Sequence, residues 1–142
     1  MDQRVNLITL GVADLAAAVA FYTRLGWRRE TLPYEQLAVF DLGGPLMALF
    51  PRDLLAEDAG VAPEGQGFSG VTLACNQPDA ASVDRVIADA VAAGARLTRP
   101  ARLAPWGGYS GTVADPDGHL WEIAFNPVWP LDGAGWLRPP EG

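Results

Sequence analysis

Apolar and polar positions along this chain follow a pattern that occurs twice. Asn6 to Val12 (NLITLGV) is an apolar run of strand length. Asp14 stands where a helix N-cap belongs, because its carboxylate can accept the unpaired N–H groups of a first turn. Leu15 to Leu25 follows, with Leu15, Ala18, Val19 and Tyr22 on one face at helical spacing, and Gly26 suits a left-handed stop. Trp27 to Leu32, Glu35 to Leu42 and Pro45 to Phe50 read as three strands, the last two joined at Gly43-Gly44.

Pro51 to Gly67 is polar and rich in Asp, Glu, Gly and Pro, and reads as a linker with room for one helical turn. The pattern then restarts with a strand at Ser69 to Ala74. Asp79 caps a second helix, Ala80 to Ala93, whose Val83, Val86, Ile87, Ala90 and Val91 form an apolar stripe ended by Gly94. Arg96 to Thr98, Tyr109 to Ala114 and Leu120 to Phe125 read as three more strands. Asp115-Pro116-Asp117-Gly118 is the turn of the last hairpin.

The order β-α-β-β-β therefore appears twice, and short self-matches support a repeat. Leu7-Ile8-Thr9-Leu10 matches Gly70-Val71-Thr72-Leu73. Leu46-Met47-Ala48-Leu49-Phe50 matches Leu120-Trp121-Glu122-Ile123-Ala124-Phe125. The expected organisation is one domain with module one at 4–50, a linker at 51–67, module two at 68–126 and a Pro- and Trp-rich tail at 127–142.

A length of 142 residues suffices to bury a core without disulfide or metal staples. The net charge of −7 disfavours nucleic acid, whose phosphates need a positive field. All ten basic residues are Arg, which removes Schiff-base chemistry and the phosphate loop that needs a Lys. One Cys and one His exclude an intrachain disulfide and a multi-His metal site within one chain. No run approaches the roughly 18 apolar residues of a membrane span. Met1 to Val5 is polar and leads into only a short apolar stretch, so the expected location is cytoplasmic.

Leu10-Gly11-Val12-Ala13-Asp14-Leu15, the pair Phe21-Tyr22 with Leu25-Gly26, and Asp115-Pro116-Asp117-Gly118-His119-Leu120-Trp121-Glu122 together resemble the vicinal oxygen chelate superfamily. That group holds glyoxalase I, extradiol dioxygenases, and fosfomycin- and bleomycin-resistance proteins. The resemblance covers Asn6 to Pro127. It implies an α+β fold in which two βαβββ modules form a curved mixed sheet around a cavity, with helices outside. It also implies a homodimer. The superfamily's metal sites draw on four pseudo-symmetric strand positions, which fall here on Leu7, Ala48, Gly70 and Glu122. Only Glu122 has a donor side chain, and one carboxylate does not hold a transition metal, so no metal or other cofactor is expected.

If Glu122 faces the cavity, so do Leu120 and Ala124, while His119, Trp121 and Ile123 face out. A hairpin closed by Asp115 to Gly118 sets Glu122 opposite Gly111 and Ala124 opposite Tyr109. Tyr109 then joins Glu122 on the cavity wall, with open space at Gly111. Glu122 is either a working carboxylate, as general base or partner of a cationic ligand, or a remnant held by a hydrogen bond. Trp106 either stacks on a ligand or plugs the core. His119 is read as a turn residue and Cys75 as a small core residue. Leu7, Ala48 and Gly70 complete the expected wall. The expected function is a binder of a small planar or cationic molecule, with no nucleic acid or membrane as partner. The alternative is an enzyme using Glu122 as base, with Tyr109 as acid, or Glu122 as a remaining metal ligand.

Overall fold

The computed structural model describes residues 1–142 other than 2, 4, 106 and 140–142. The elements run β1 (Leu7–Val12), α1 (Leu15–Arg24), β2 (Ala38–Asp41), β3 (Leu46–Pro51), α2 (Arg52–Ala59), β4 (Leu73–Asn76), α3 (Ala80–Ala93), β5 (Arg96–Leu103), β6 (Tyr109–Ala114) and β7 (Leu120–Phe125). This is an α+β fold with two mixed sheets, ordered β1-β3-β2 and β4-β7-β6-β5. The chain divides into two compact units, Met1–Ser69 and Gly70–Gly142, each holding one sheet.

In the first unit β1 pairs parallel with β3, and β2 runs antiparallel on β3's other side. Asp14 caps α1 by accepting from the Ala17 N–H at 2.9 Å, which satisfies one orphan donor of the first turn. The helix buries Ala18, Phe21 and Tyr22. Tyr22 packs 5.8 Å from the Phe40 ring, so the face bearing Phe40, its partner Met47 and Leu49 is the helix-covered one. Leu10, Val12, Phe40, Met47 and Leu49 are buried there. Burial of such large apolar side chains stabilises the fold by about 1.5–3 kcal/mol each.

The strand expected at Trp27 to Leu32 is absent apart from a bridge between Arg29 and Phe40 and a Glu30 N–H to Val39 carbonyl bond of 2.8 Å. Trp27 instead packs against Tyr22 and Phe40, with ring centroids 5.1 and 5.8 Å away. That aromatic cluster fixes the segment where a full ladder does not form. The linker also holds more structure than expected, because α2 makes two turns and ends at a left-handed Gly60.

In the second unit Asp79 caps α3 through the Ser82 N–H at 2.7 Å, and Gly94 ends the helix at φ 118°. The apolar stripe of α3 lies on β6 and β7. Val83 and Ile87 on the helix and Val113 and Ile123 on the strands are all buried. A Cβ built at Gly111 would sit 2.6 Å from the Ile87 Cδ1 atom and 3.0 Å from the Ala101 backbone nitrogen. Gly111 therefore lies on the helix-covered face, where its lack of a side chain permits this close approach.

Strand β5 is longer than the three residues expected. It runs on through Pro100 to Leu103, with register shifts between Leu97 and Arg99 and between Arg99 and Arg102. Proline is tolerated because β5 is an edge strand with an irregular ladder. The tail folds on itself around a Leu131–Leu137 bridge, with Asp132 accepting from the Trp136 N–H and pairing with Arg138.

Candidate functional site

The last hairpin decides which side chains share a face. Asp115 Oδ1 accepts from the N–H groups of both Asp117 and His119, each at 2.9 Å. His119 is thereby held in the loop, and Ala114 pairs with Leu120. The loop has five residues where four were expected, and the register moves by one. Glu122 pairs with Thr112, Ala124 with Ser110, and Gly111 with Ile123. A one-residue slip moves a whole strand's side chains to the opposite face.

Tyr109 and Gly111 are accordingly placed away from Glu122, a correction to the expected pairing. Tyr109 donates its hydroxyl to Asp84 Oδ1 of α3 at 2.7 Å. That carboxylate, by holding the phenolic proton, pushes the Tyr109 pKa above its ordinary 10.0. Burial pushes the Cys75 thiol up as well, which keeps it protonated despite the Gln77 amide donating to its sulfur at 3.3 Å. A thiol in that state is a poor nucleophile.

The face opposite α3 carries Ser110 and Thr112 of β6, Glu122 and Ala124 of β7, and Arg99 and Arg102 of β5, since Arg99 pairs with Thr112 and Arg102 with Ser110. A pocket of about 580 Å³ opens there, lined by Arg99, Arg102, Leu103, Ala104, Pro105, Ser110 and Glu122. Arg99 is locked in place. Its Nη1 donates to the Ser110 carbonyl and its Nη2 to Ser110 Oγ, both at 2.9 Å. A guanidinium has five N–H donors, so three remain. Among the described residues, neither Arg102 nor the Glu122 carboxylate has a side-chain hydrogen bond or ion pair.

Sequence reasoning singled out Glu122, which lines this pocket, and passed over both arginines that line it too. The missed signal was the run Arg96-Leu97-Thr98-Arg99-Pro100-Ala101-Arg102, in which Pro100 reads as a stop although an edge strand accepts it. Of the other expected wall residues, Leu7 and Ala48 share one face of the first sheet, through the pairs Leu7–Leu46 and Thr9–Ala48. Leu7 is half-exposed and Ala48 fully buried. Gly70 is in no strand; its φ of 81° places it in the loop before β4. Pairing sets Ala74 beside Glu122 as Thr9 lies beside Ala48, so the position equivalent to Leu7 is Thr72. Trp106 lies outside the described residues.

The model of the Glyoxalase/Bleomycin resistance protein/Dioxygenase superfamily matches residues 4–123. The chain belongs to this superfamily. A glyoxalase-related enzyme from Fulvimarina pelagi is 40% identical, with 98% of this chain and 99% of that one covered and a TM-score of 0.88. A glyoxalase/bleomycin resistance protein/dioxygenase from Nocardioides is 26% identical, covering 94% and 87% of the two chains at a TM-score of 0.71. A lactoylglutathione lyase from Agrobacterium tumefaciens, 24% identical over 91% and 98%, shares the fold with a TM-score of 0.67. A comparison with curated proteins gives no match.

Of the four positions that the resemblance implies for a metal, Leu7 and Ala48 in the first unit have no donor side chain, and Thr72 and Glu122 in the second offer one hydroxyl and one carboxylate, fewer than the three good donors a divalent transition metal needs. Among the described residues no three His, Cys, Asp or Glu side chains come together elsewhere. No helix among them is long and apolar enough to cross a membrane.

Proposed function

We propose that this superfamily member binds a small molecule in the pocket at Glu122 and works there without a resident metal. The observation that supports this reading is the pairing of an unpartnered carboxylate with a ligand-sized pocket. Small-molecule sites span about 300–1,000 Å³ and combine apolar walls with a few convergent polar groups. Leu103, Ala104 and Pro105 supply the apolar wall, and Glu122, Ser110 and the arginines supply the polar groups. The carboxylate accepts a hydrogen bond or a positive charge from the ligand. Ser110 acts indirectly by holding Arg99.

A proton-transfer enzyme is the second reading. It is favoured by the 40% identical Fulvimarina pelagi protein, described as a glyoxalase-related enzyme. In that reading Glu122 takes a proton from a carbon beside a carbonyl, and the guanidinium groups stabilise the oxyanion that forms. Tyr109 has no part in it, because its hydroxyl is committed to Asp84 on the other face of the sheet.

Three measurements test the proposal. Elemental analysis of purified protein should find no stoichiometric transition metal, and EDTA should leave the melting temperature unchanged. One tightly bound metal per chain would overturn the metal-independent reading. Mass spectrometry of the small molecule that copurifies, before and after incubation, separates binder from enzyme: an unaltered molecule supports the first and a changed one the second.

A further inference from the structure

Opposite charges share the Glu122 pocket without neutralising one another. Arg99, Arg102 and Glu122 all line it, yet no ion pair within 4.0 Å joins them. Two guanidinium groups against one carboxylate give this pocket an excess of one positive charge, in a chain whose net charge is −7. A local field of the opposite sign to the whole molecule selects what enters.

Arg99 is preorganised by its two bonds to Ser110, itself buried and 4% exposed. Its remaining N–H groups are fixed in direction at no further entropic cost. Arg102 follows at the next irregular step of β5 and has no partner of its own among the described residues. Paired guanidinium groups match the geometry of carboxylate and phosphate oxygens, to which they give short, charge-assisted bonds. A ligand that carries only positive charge does not suit such a lining.

We infer that Arg99 and Arg102 together take an oxyanion, a carboxylate or phosphate, on the small molecule bound in this pocket, leaving Glu122 to a donor group elsewhere on the same molecule. The inference rests on the reading that this pocket is the ligand site, and it narrows the ligand to an anion or zwitterion with an apolar body set against Leu103, Ala104 and Pro105.

The test uses four aryl probes of similar size: phenyl phosphate, benzoate, benzyl alcohol and benzylammonium. Calorimetric titration of the whole chain should give about tenfold tighter binding for the two anions than for the other two. The advantage should shrink as salt is raised. Arg102→Gln, at an exposed position with no structural bond, should remove most of the preference. Arg99→Gln should do the same, with circular dichroism checking that the fold survives loss of the Ser110 bonds. Ala104→Trp, which fills the pocket, should abolish binding of every probe. Neutral or cationic probes that bind as well as the anions, and are blocked by Ala104→Trp, would overturn the oxyanion inference and leave the pocket as the ligand site. Absence of binding by all four, or binding indifferent to Ala104→Trp, would overturn both.

Discussion

Tyr109 gives its hydroxyl hydrogen to Asp84 across 2.7 Å, and this bond assigns the two faces of β6. The tyrosine is tied to α3, so Ser110 and Thr112, one and three residues further along the strand, both lie on the opposite face, because side chains alternate with a period of two. The phenol should ionise above 10.0, and Asp84→Asn should bring it down. Because the folded value is raised, the bond contributes stability below the ordinary tyrosine pKa, and that contribution is lost as pH rises through the folded value. Ultraviolet titration of Asp84→Asn beside the parent checks the shift. In the same experiment series Tyr109→Phe should leave phenyl phosphate binding unchanged. A loss matching that of Arg102→Gln would return Tyr109 to the site.

Gly111→Ala should destabilise the chain by about 1–3 kcal/mol through overpacking. The new methyl would meet the Ile87 Cδ1 atom at 2.6 Å and the Ala101 backbone at 3.0 and 3.1 Å. Combining it with Ile87→Val, which removes the nearest carbon, should recover only part of the loss, because the Ala101 contact stays. Urea denaturation of the two single variants and the double variant measures this. Full additivity would show that the methyl and Ile87 do not meet.

Glu122→Gln separates the two charges a zwitterionic ligand would use. The compound 4-(aminomethyl)benzoate carries an ammonium opposite its carboxylate, and it should bind the parent protein several-fold tighter than benzoate. The substitution keeps the shape and removes the charge, so the difference between the two compounds should vanish while benzoate binding holds or improves. Equal affinity for both compounds in the parent would take Glu122 out of the pocket's chemistry.

Acid should weaken the fold at two carboxylates, the exposed Asp79 and the half-buried Asp132. The Ser82 N–H at the start of α3 holds Asp79 below the ordinary 3.8, and the Trp136 N–H, with help from Arg138, does so for Asp132. A lowered folded pKa gives stability that is present above the unfolded value and lost as pH falls through the folded one. Melting temperature should therefore hold from neutral pH to about 5 and drop below about 4. Asp79→Asn and Asp132→Asn should each reduce the depth of that drop. Melting curves with an unchanged acid limb would assign the loss to other carboxylates.

Local signals were the legible ones. Asp14, Asp79 and Gly94 act within a turn of the helices they bound, and all three stand as the chain pattern predicts. What depends on a second contact was not legible. The bond from Asp115 to the His119 N–H lengthened a loop by one residue and exchanged the faces of Tyr109 and Ser110. Trp27 joined an aromatic cluster with Tyr22 and Phe40, and the expected strand there shrank to a bridge. Glu122 was legible because it stands alone among apolar neighbours. Arg99 and Arg102 were hidden because they follow a strand's apparent end, and only the pairing with β6 carries the ladder past Pro100.

Pro100 has a meaning for the outer rim of its sheet as well. It offers no N–H to an incoming chain, and the run that contains it also bears Arg96, Arg99 and Arg102. Such a border repels strand addition by like-charge crowding and a broken donor row. Growth of the sheet into a fibre from this side is discouraged by the same segment that lends the pocket its guanidinium groups.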